Sequence, residues 1–158
     1  MNGRFQTDQA KDYPLFSDVQ GPFSIRCMYR RSGEGGAGET VNQDYVTYRV
    51  SSNTVAFCVC DGVGQSYFGH LAAKFLGDAL LDFLTLDAAD NLDDPDRFQE
   101  TLQRFLSGIT KEASERLNRH AIPNHVTGML REVLEDKKRL GSHSTFACGR
   151  VVHDPGKG

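Results

Sequence analysis

The stretch V-A-F-C-V-C-D-G-V-G-Q-S-Y-F-G-H-L-A-A-K-F-L-G-D-A-L-L-D-F-L, Val55 to Leu84, decides the fold. Its first six residues form a continuous apolar run of β-branched, aromatic and cysteine side chains, which predicts a strand buried on both faces. The run stops at Asp61, a carboxylate where burial predicts another apolar residue. Gly62 and Gly64 follow and allow a tight turn or a close backbone approach. Ser66 is then placed to cap a helix over about Tyr67 to Leu84, with Leu71, Phe75, Leu76, Ala79, Leu80, Phe83 and Leu84 on its apolar stripe. An acid at the end of a buried strand needs a cation or a hydrogen-bond network to offset its desolvation. A D-G aspartate bonded to its own turn is the commoner arrangement, and the functional alternative is a metal ligand.

Working outward, Asn42-Gln43-Asp44-Tyr45 places a second acid at the edge of another strand-like run, Tyr45 to Val50. The spacer Ser51-Ser52-Asn53-Thr54 predicts a hairpin between the two runs. Phe23 to Tyr29 alternates apolar and polar residues and reads as an earlier strand. Between them, Arg30 to Thr40 carries G-E-G-G-A-G without the G-K-[ST] ending of a phosphate-cradling loop, so a plain flexible loop is the reading. Met1 to Gly21 reads as a polar lead-in, and residues 22–158 as the domain.

Downstream, Asp87 to Asp96 is an acidic loop without the spacing or central glycine of a calcium-binding loop. Asp96 is positioned to cap a second helix to about His120, with Phe98, Leu102, Phe105, Leu106, Ile109, Ala113 and Leu117 on one face. A third helix over about Val126 to Leu140 turns Met129, Leu130, Val133, Leu134 and Leu140 inward. Ser142 to Val152 is the last strand. Strands in a run, then helices, argue for α+β layering with an antiparallel sheet and helices on one face.

The F-C-V-C-D-G-V-G segment with its A-A-K-F helix, the N-Q-D-Y segment before it and the late G-S-H-S-T-F-A-C-G-R-V-V, Gly141 to Val152, stand in an order that resembles the metal-dependent protein phosphatases (protein phosphatase 2C, PPM type). The likeness covers about Phe23 to Val152, the N-terminal part of that domain, in a bacterial-like form. It implies a sandwich of two antiparallel sheets flanked by paired long helices, incomplete at the C-terminus. It also implies hydrolysis of phosphoserine and phosphothreonine in protein substrates by a water held between two Mn²⁺ or Mg²⁺ ions.

By that resemblance Asp61 bridges both metals, the Gly62 carbonyl binds one of them, and Asp44 joins the acidic cluster as a metal or metal-water ligand. Gln43 stands where eukaryotic members carry an acid. Val63 stands where many carry a proton-donating histidine. The family's phosphate-binding arginine aligns with Glu39, leaving Arg26, Arg30 or Arg31 as substitutes. The later G-D-S-R, D-G-x-x-D and D-N motifs are absent from the sequence, so the resemblance implies a truncated chain with little activity of its own. A catalytically inactive binding module of the same fold is the alternative.

Composition bounds the remaining classes. The chain has 158 residues and a net charge of −3, enough for one domain and without the basic stripe that nucleic acid requires. No apolar run reaches membrane-spanning length, and the N-terminus lacks a signal-peptide core, so a cytoplasmic location is expected. The four cysteines, Cys27, Cys58, Cys60 and Cys148, lie in apolar runs without a C-x-x-C pair and read as reduced, buried thiols. His70, His120, His125, His143 and His153 carry no ligand spacing. Oligomeric state is left open by the sequence.

Overall fold

The computed structural model describes residues 3–31, 41–64, 66–86 and 94–156. The glycine-rich stretch, with Glu39, and most of the acidic loop lie outside the described residues. Among the described residues, six strands and three helices run in the order β1 Gly3–Gln6, β2 Tyr13–Gln20, β3 Phe23–Tyr29, β4 Asp44–Val50, β5 Thr54–Gly62, α1 Gly69–Thr85, α2 Pro95–Asn118, α3 Gly128–Leu140 and β6 Ser144–Val152. The architecture is α+β. A four-stranded sheet of order β1-β4-β5-β6 is joined by a two-stranded sheet of β2 and β3, and all pairings are antiparallel.

The sheet's two faces are sorted by the period of two along each strand. Tyr45 pairs with Cys60, and Thr47 with Cys58; this face meets α1. Tyr45, Cys58, Cys60, Ala73 and Leu80 form one buried cluster, and Ala56, Leu81, Phe83 and Leu84 another. Gly77 is required here, since a Cβ would lie 2.6 Å from the Tyr45 ring. The opposite face carries Tyr48, Val50 and Val55, covered by Phe5, Phe23 and Ile25. The β2–β3 hairpin is therefore a partial second layer, fastened by Tyr48 Oη donating to Asp18 Oδ2 at 2.9 Å.

Several expectations are corrected. The 1–21 stretch, read as a polar lead-in, contains β1 and β2. Its apolar positions are few and separated by polar ones, so the pairing that orders it comes from β4 and β3 rather than from local pattern. The Val55–Cys60 run is buried throughout on the α1 face but only at Val55 on the other: Phe57 and Val59 are exposed because the second layer stops short of them. Ser66 does not cap α1. Its Oγ donates to the Val63 carbonyl at 2.7 Å, and the N-cap is Phe68 in the left-handed region, held between Tyr67, His70 and His120.

Asp94, not Asp96, caps α2, its carboxylate accepting from the Asp96 and Arg97 N–H groups, with Pro95 at the first position. The stripe of α3 does not turn inward: Met129, Leu130, Val133 and Leu140 are exposed, and α3 has no buried residue. Its amphipathic pattern is real, but its packing stops at the end of α2, where Lys138 Nζ donates to the Asn118 and His120 carbonyls, and leaves only Leu134 of the stripe half-buried. The Ser51–Thr54 hairpin turn forms as expected, closed by the Ser51 N–H on the Thr54 carbonyl.

Candidate metal centre

The register of β4 on β5 places Asp44 directly opposite Asp61. Both acids close the same end of the pairing, on the face away from α1. Beyond them the ladder continues through the Gly62 N–H, which donates to the Gln43 carbonyl at 3.1 Å. Asp61 lies on the other side next to Thr145 of β6, and Ser144 Oγ donates to its carbonyl at 3.0 Å. The two candidate ligands thus meet as cross-strand neighbours, although 16 residues lie between them in the chain.

Electrostatics at the pair run against ionisation of both groups. Burial, then the Asp61 charge and a hydrogen bond from carboxyl to carboxyl, raise the Asp44 pKa above its ordinary value; a hydrogen bond with Asn42 pulls the other way. Two adjacent carboxylates in one site share a proton or take up a cation. Among the described residues no group of three or more His, Cys, Asp or Glu is arranged to hold a metal ion. The donor set here is two carboxylates, which suits a hard divalent cation that keeps most of its waters.

Residues the sequence did not single out set the acids in place. Tyr29 Oη donates to the Asp44 carbonyl at 2.8 Å, and burial pushes its pKa up to about 12, so it stays a neutral donor. Gln9 Nε2 donates both to the Asp44 carbonyl at 3.2 Å and to the His70 carbonyl at 3.1 Å, tying β4 to α1. The Gln9 carbonyl in turn accepts from the Asn42 N–H. Tyr29 could be anticipated as the end of an apolar strand. Gln9 sits in a polar stretch with no periodic signal, and only its burial reveals it.

Gly62 is buried with its Cα against α1: a Cβ there would overlap the Gly69 carbonyl and lie 2.8 Å from the Gln43 carbonyl oxygen. Gly69 is equally confined, by Val63 and the Gln43 side chain. The D-G sequence is thus a packing requirement as well as a turn. Gln43 Oε1 is buried without a partner. It packs beside Gly64 and Gly69, on the α1 side of the sheet, and so lies apart from the carboxylate pair.

The three candidate arginines divide. Arg31 is committed to Asp12 at 3.2 Å. Arg26 is exposed on β3, opposite Ser17. Arg30 has its carbonyl held by Asn42 Nδ2 at 3.4 Å, so its backbone adjoins the acids. Val63 is exposed and offers no proton. His70 has its pKa lowered, chiefly by burial and then by His120, so it is neutral near pH 7. Among the thiols, Cys58 and Cys60 share one face with their sulfurs 3.5 Å apart, and all four cysteines are free.

Comparison with protein-family models, with characterised proteins and with solved structures gives no match for this chain. No helix among the described residues is long and apolar enough to cross a membrane.

Proposed function

We propose that the chain carries a divalent-cation site of the metal-dependent protein phosphatase (PPM) type, with Asp44 and Asp61 as its carboxylate ligands, Gly62 supplying a carbonyl, and Mn²⁺ or Mg²⁺ as the ion. In that reading the substrate is a phosphoserine or phosphothreonine side chain of a protein, attacked by a metal-held water. The observation that carries it is the cross-strand placement of Asp44 opposite Asp61, with the Asp44 pKa raised by burial and then by its neighbour. Two acids so arranged gain most from a cation between them, because it removes their mutual repulsion.

A second reading is favoured by Val63, which cannot protonate a leaving group, and by a described donor set of two carboxylates. There the fold binds a cation or a phosphorylated partner without turnover. One experiment separates the readings. Mn²⁺ is titrated into the chain and the free-ion electron paramagnetic resonance signal is followed, alongside phosphate release from a phosphothreonine peptide. The site predicts one ion per chain, lost in Asp61→Asn and in Asp44→Asn; no uptake at millimolar Mn²⁺ overturns the phosphatase and the cation-binding module alike. Release that needs Mn²⁺ and Asp61 selects the phosphatase, and uptake without release selects the binding module.

A further inference from the structure

The main sheet ends on two edges that are built very differently. One is β1, four residues long and carrying Arg4. The other is β6, a nine-residue strand, S-T-F-A-C-G-R-V-V, with one charged residue and no proline. Its ladder with β5 runs from Thr54↔Val152 to Gly62↔Ser144 without a register shift, so no bulge bends the edge away. No further strand pairs with it among the described residues. Phe146 and Val152 are 37% and 52% exposed, so the helices leave both ends of the edge open. Proteins that stay monomeric blunt an edge by shortness, charge, proline or a bulge, and a long flat edge with apolar side chains is a template for another strand.

The hydrogen bonds to β5 fix which groups that template offers. Just beyond the two ends of the ladder, the Val63 N–H donates to the His143 carbonyl at 2.9 Å and the His153 N–H to the Asn53 carbonyl at 2.8 Å. Both pairs continue the β5–β6 register. Bonded and non-bonded pairs alternate along an antiparallel ladder, so the odd-numbered residues of β6 direct their backbone groups to β5. Ser144, Phe146, Cys148, Arg150 and Val152 turn theirs to the open edge. A second β6, antiparallel and related by a two-fold axis at Cys148, meets this set with itself. Ser144 then faces Val152 of the second copy, Phe146 faces Arg150 of the second copy, and Cys148 faces its own equivalent. Each outward N–H finds a carbonyl along the whole strand. No like charges are opposed, because the one charged residue, Arg150, lies across from an aromatic ring, a favourable cross-strand pair.

We infer that β6 is a self-association edge whose partner is a second copy of this chain, the two four-stranded sheets joining β6 to β6 into one continuous sheet. A two-fold contact uses the same surface on both copies and closes at the dimer. A strand edge buries less area than an obligate interface, which sets the dissociation constant in the micromolar range. The inference does not rest on the phosphatase reading.

The test is sedimentation equilibrium of the full chain from about 1 to about 200 μM, a range that brackets such a constant. The chain passes from monomer to dimer across it. Phe146→Pro removes an N–H that points to the open edge and not to β5, a position where an edge strand tolerates proline. That variant keeps its circular dichroism spectrum and is monomeric throughout. Phe146→Lys sets a like charge against Arg150 of the second copy, and Phe146→Glu an opposite one. The contact occurs twice per dimer, so the Glu variant associates about tenfold more tightly than the Lys variant. This pair carries the test should the proline variant fail to fold. A monomer at the top of the range, a species larger than a dimer, or a dimer that survives in folded Phe146→Pro overturns the edge. Equal association of the Lys and Glu variants overturns the register centred on Cys148.

Discussion

The β4–β5–α1 unit and the α2–α3 pair are built from equally regular amphipathic patterns, yet the chain buries them very differently. In the first, Tyr45, Ala56, Cys58, Cys60, Ala73, Leu80 and Leu81 are all fully buried. In the second, no helical residue is buried, and α3 exposes Met129 at 81% and Leu140 at 73%. Periodicity reports that one face of an element prefers to leave water. Whether it does depends on a partner surface of matching shape. The sheet gives α1 such a surface, flattened at Gly62, and α1 meets it with Gly69 and Gly77 so that the two come close. α2 meets α1 across a groove, and α3 has no buried residue, with only Leu140 reaching the edge of that groove.

The largest effect that tests this contrast is Leu80→Ala. Leu80 is fully buried in the main cluster, so the lost transfer energy and the cavity cost about 2–5 kcal/mol in urea unfolding. A loss under about 1 kcal/mol would place the core elsewhere. Gly62→Ala comes next. The new methyl meets the Gly69 carbonyl backbone, which cannot rotate away, and costs about 1–3 kcal/mol in the same assay. Asp94→Ala removes two N-cap hydrogen bonds from an exposed helix end and costs about 1 kcal/mol. Smallest, Val133→Ala on α3 changes stability by no more than about 0.5 kcal/mol. A loss on the scale of Leu80→Ala there would mean that the α3 stripe is covered in solution and that the two regions are alike.

The acid pair adds a prediction with a sign. The Asp44 pKa lies above its ordinary value of 3.8 in the folded chain, so the folded state holds its proton longer than the unfolded state does. This group therefore favours folding most at pH below 3.8. Its contribution falls as pH rises through the window above that value, and the deficit persists at neutral pH. Asp44→Asn removes the titration. The variant should gain stability relative to the parent as pH is raised from 3 to 7, measured as the difference between paired urea curves. Added Mn²⁺ should shrink that difference by stabilising the parent alone; an unchanged difference would count against a cation between the acids.

Much of the candidate site was legible before coordinates. N-Q-D-Y and C-D-G each put an acid at a strand end, and the short S-S-N-T spacer forces the strands into a hairpin whose register brings those ends together. The supporting groups were not legible. Gln9 acts through a contact to the Asp44 carbonyl made 35 residues away in sequence, and no local pattern marks it. Phe68 as a left-handed N-cap was equally hidden, because the aromatic cluster that holds it draws His120 from the far end of α2.

Composition and periodicity by themselves determined the α+β class, the β4–β5 hairpin and the three helices; the meeting of Asp44 with Asp61 was implied by the family resemblance alone, and the β4–β5 register places the two acids opposite each other. These depend on short-range geometry: a repeat of two or 3.6 residues, a four-residue turn, a glycine after an acid. Only the tertiary structure decided that the first 21 residues supply two strands, that Phe57 and Val59 stay exposed, that α3 lies unburied and that a groove separates α1 from α2. Those outcomes depend on which surfaces of distant elements face each other, and an amphipathic pattern is the same whether its partner is present or not.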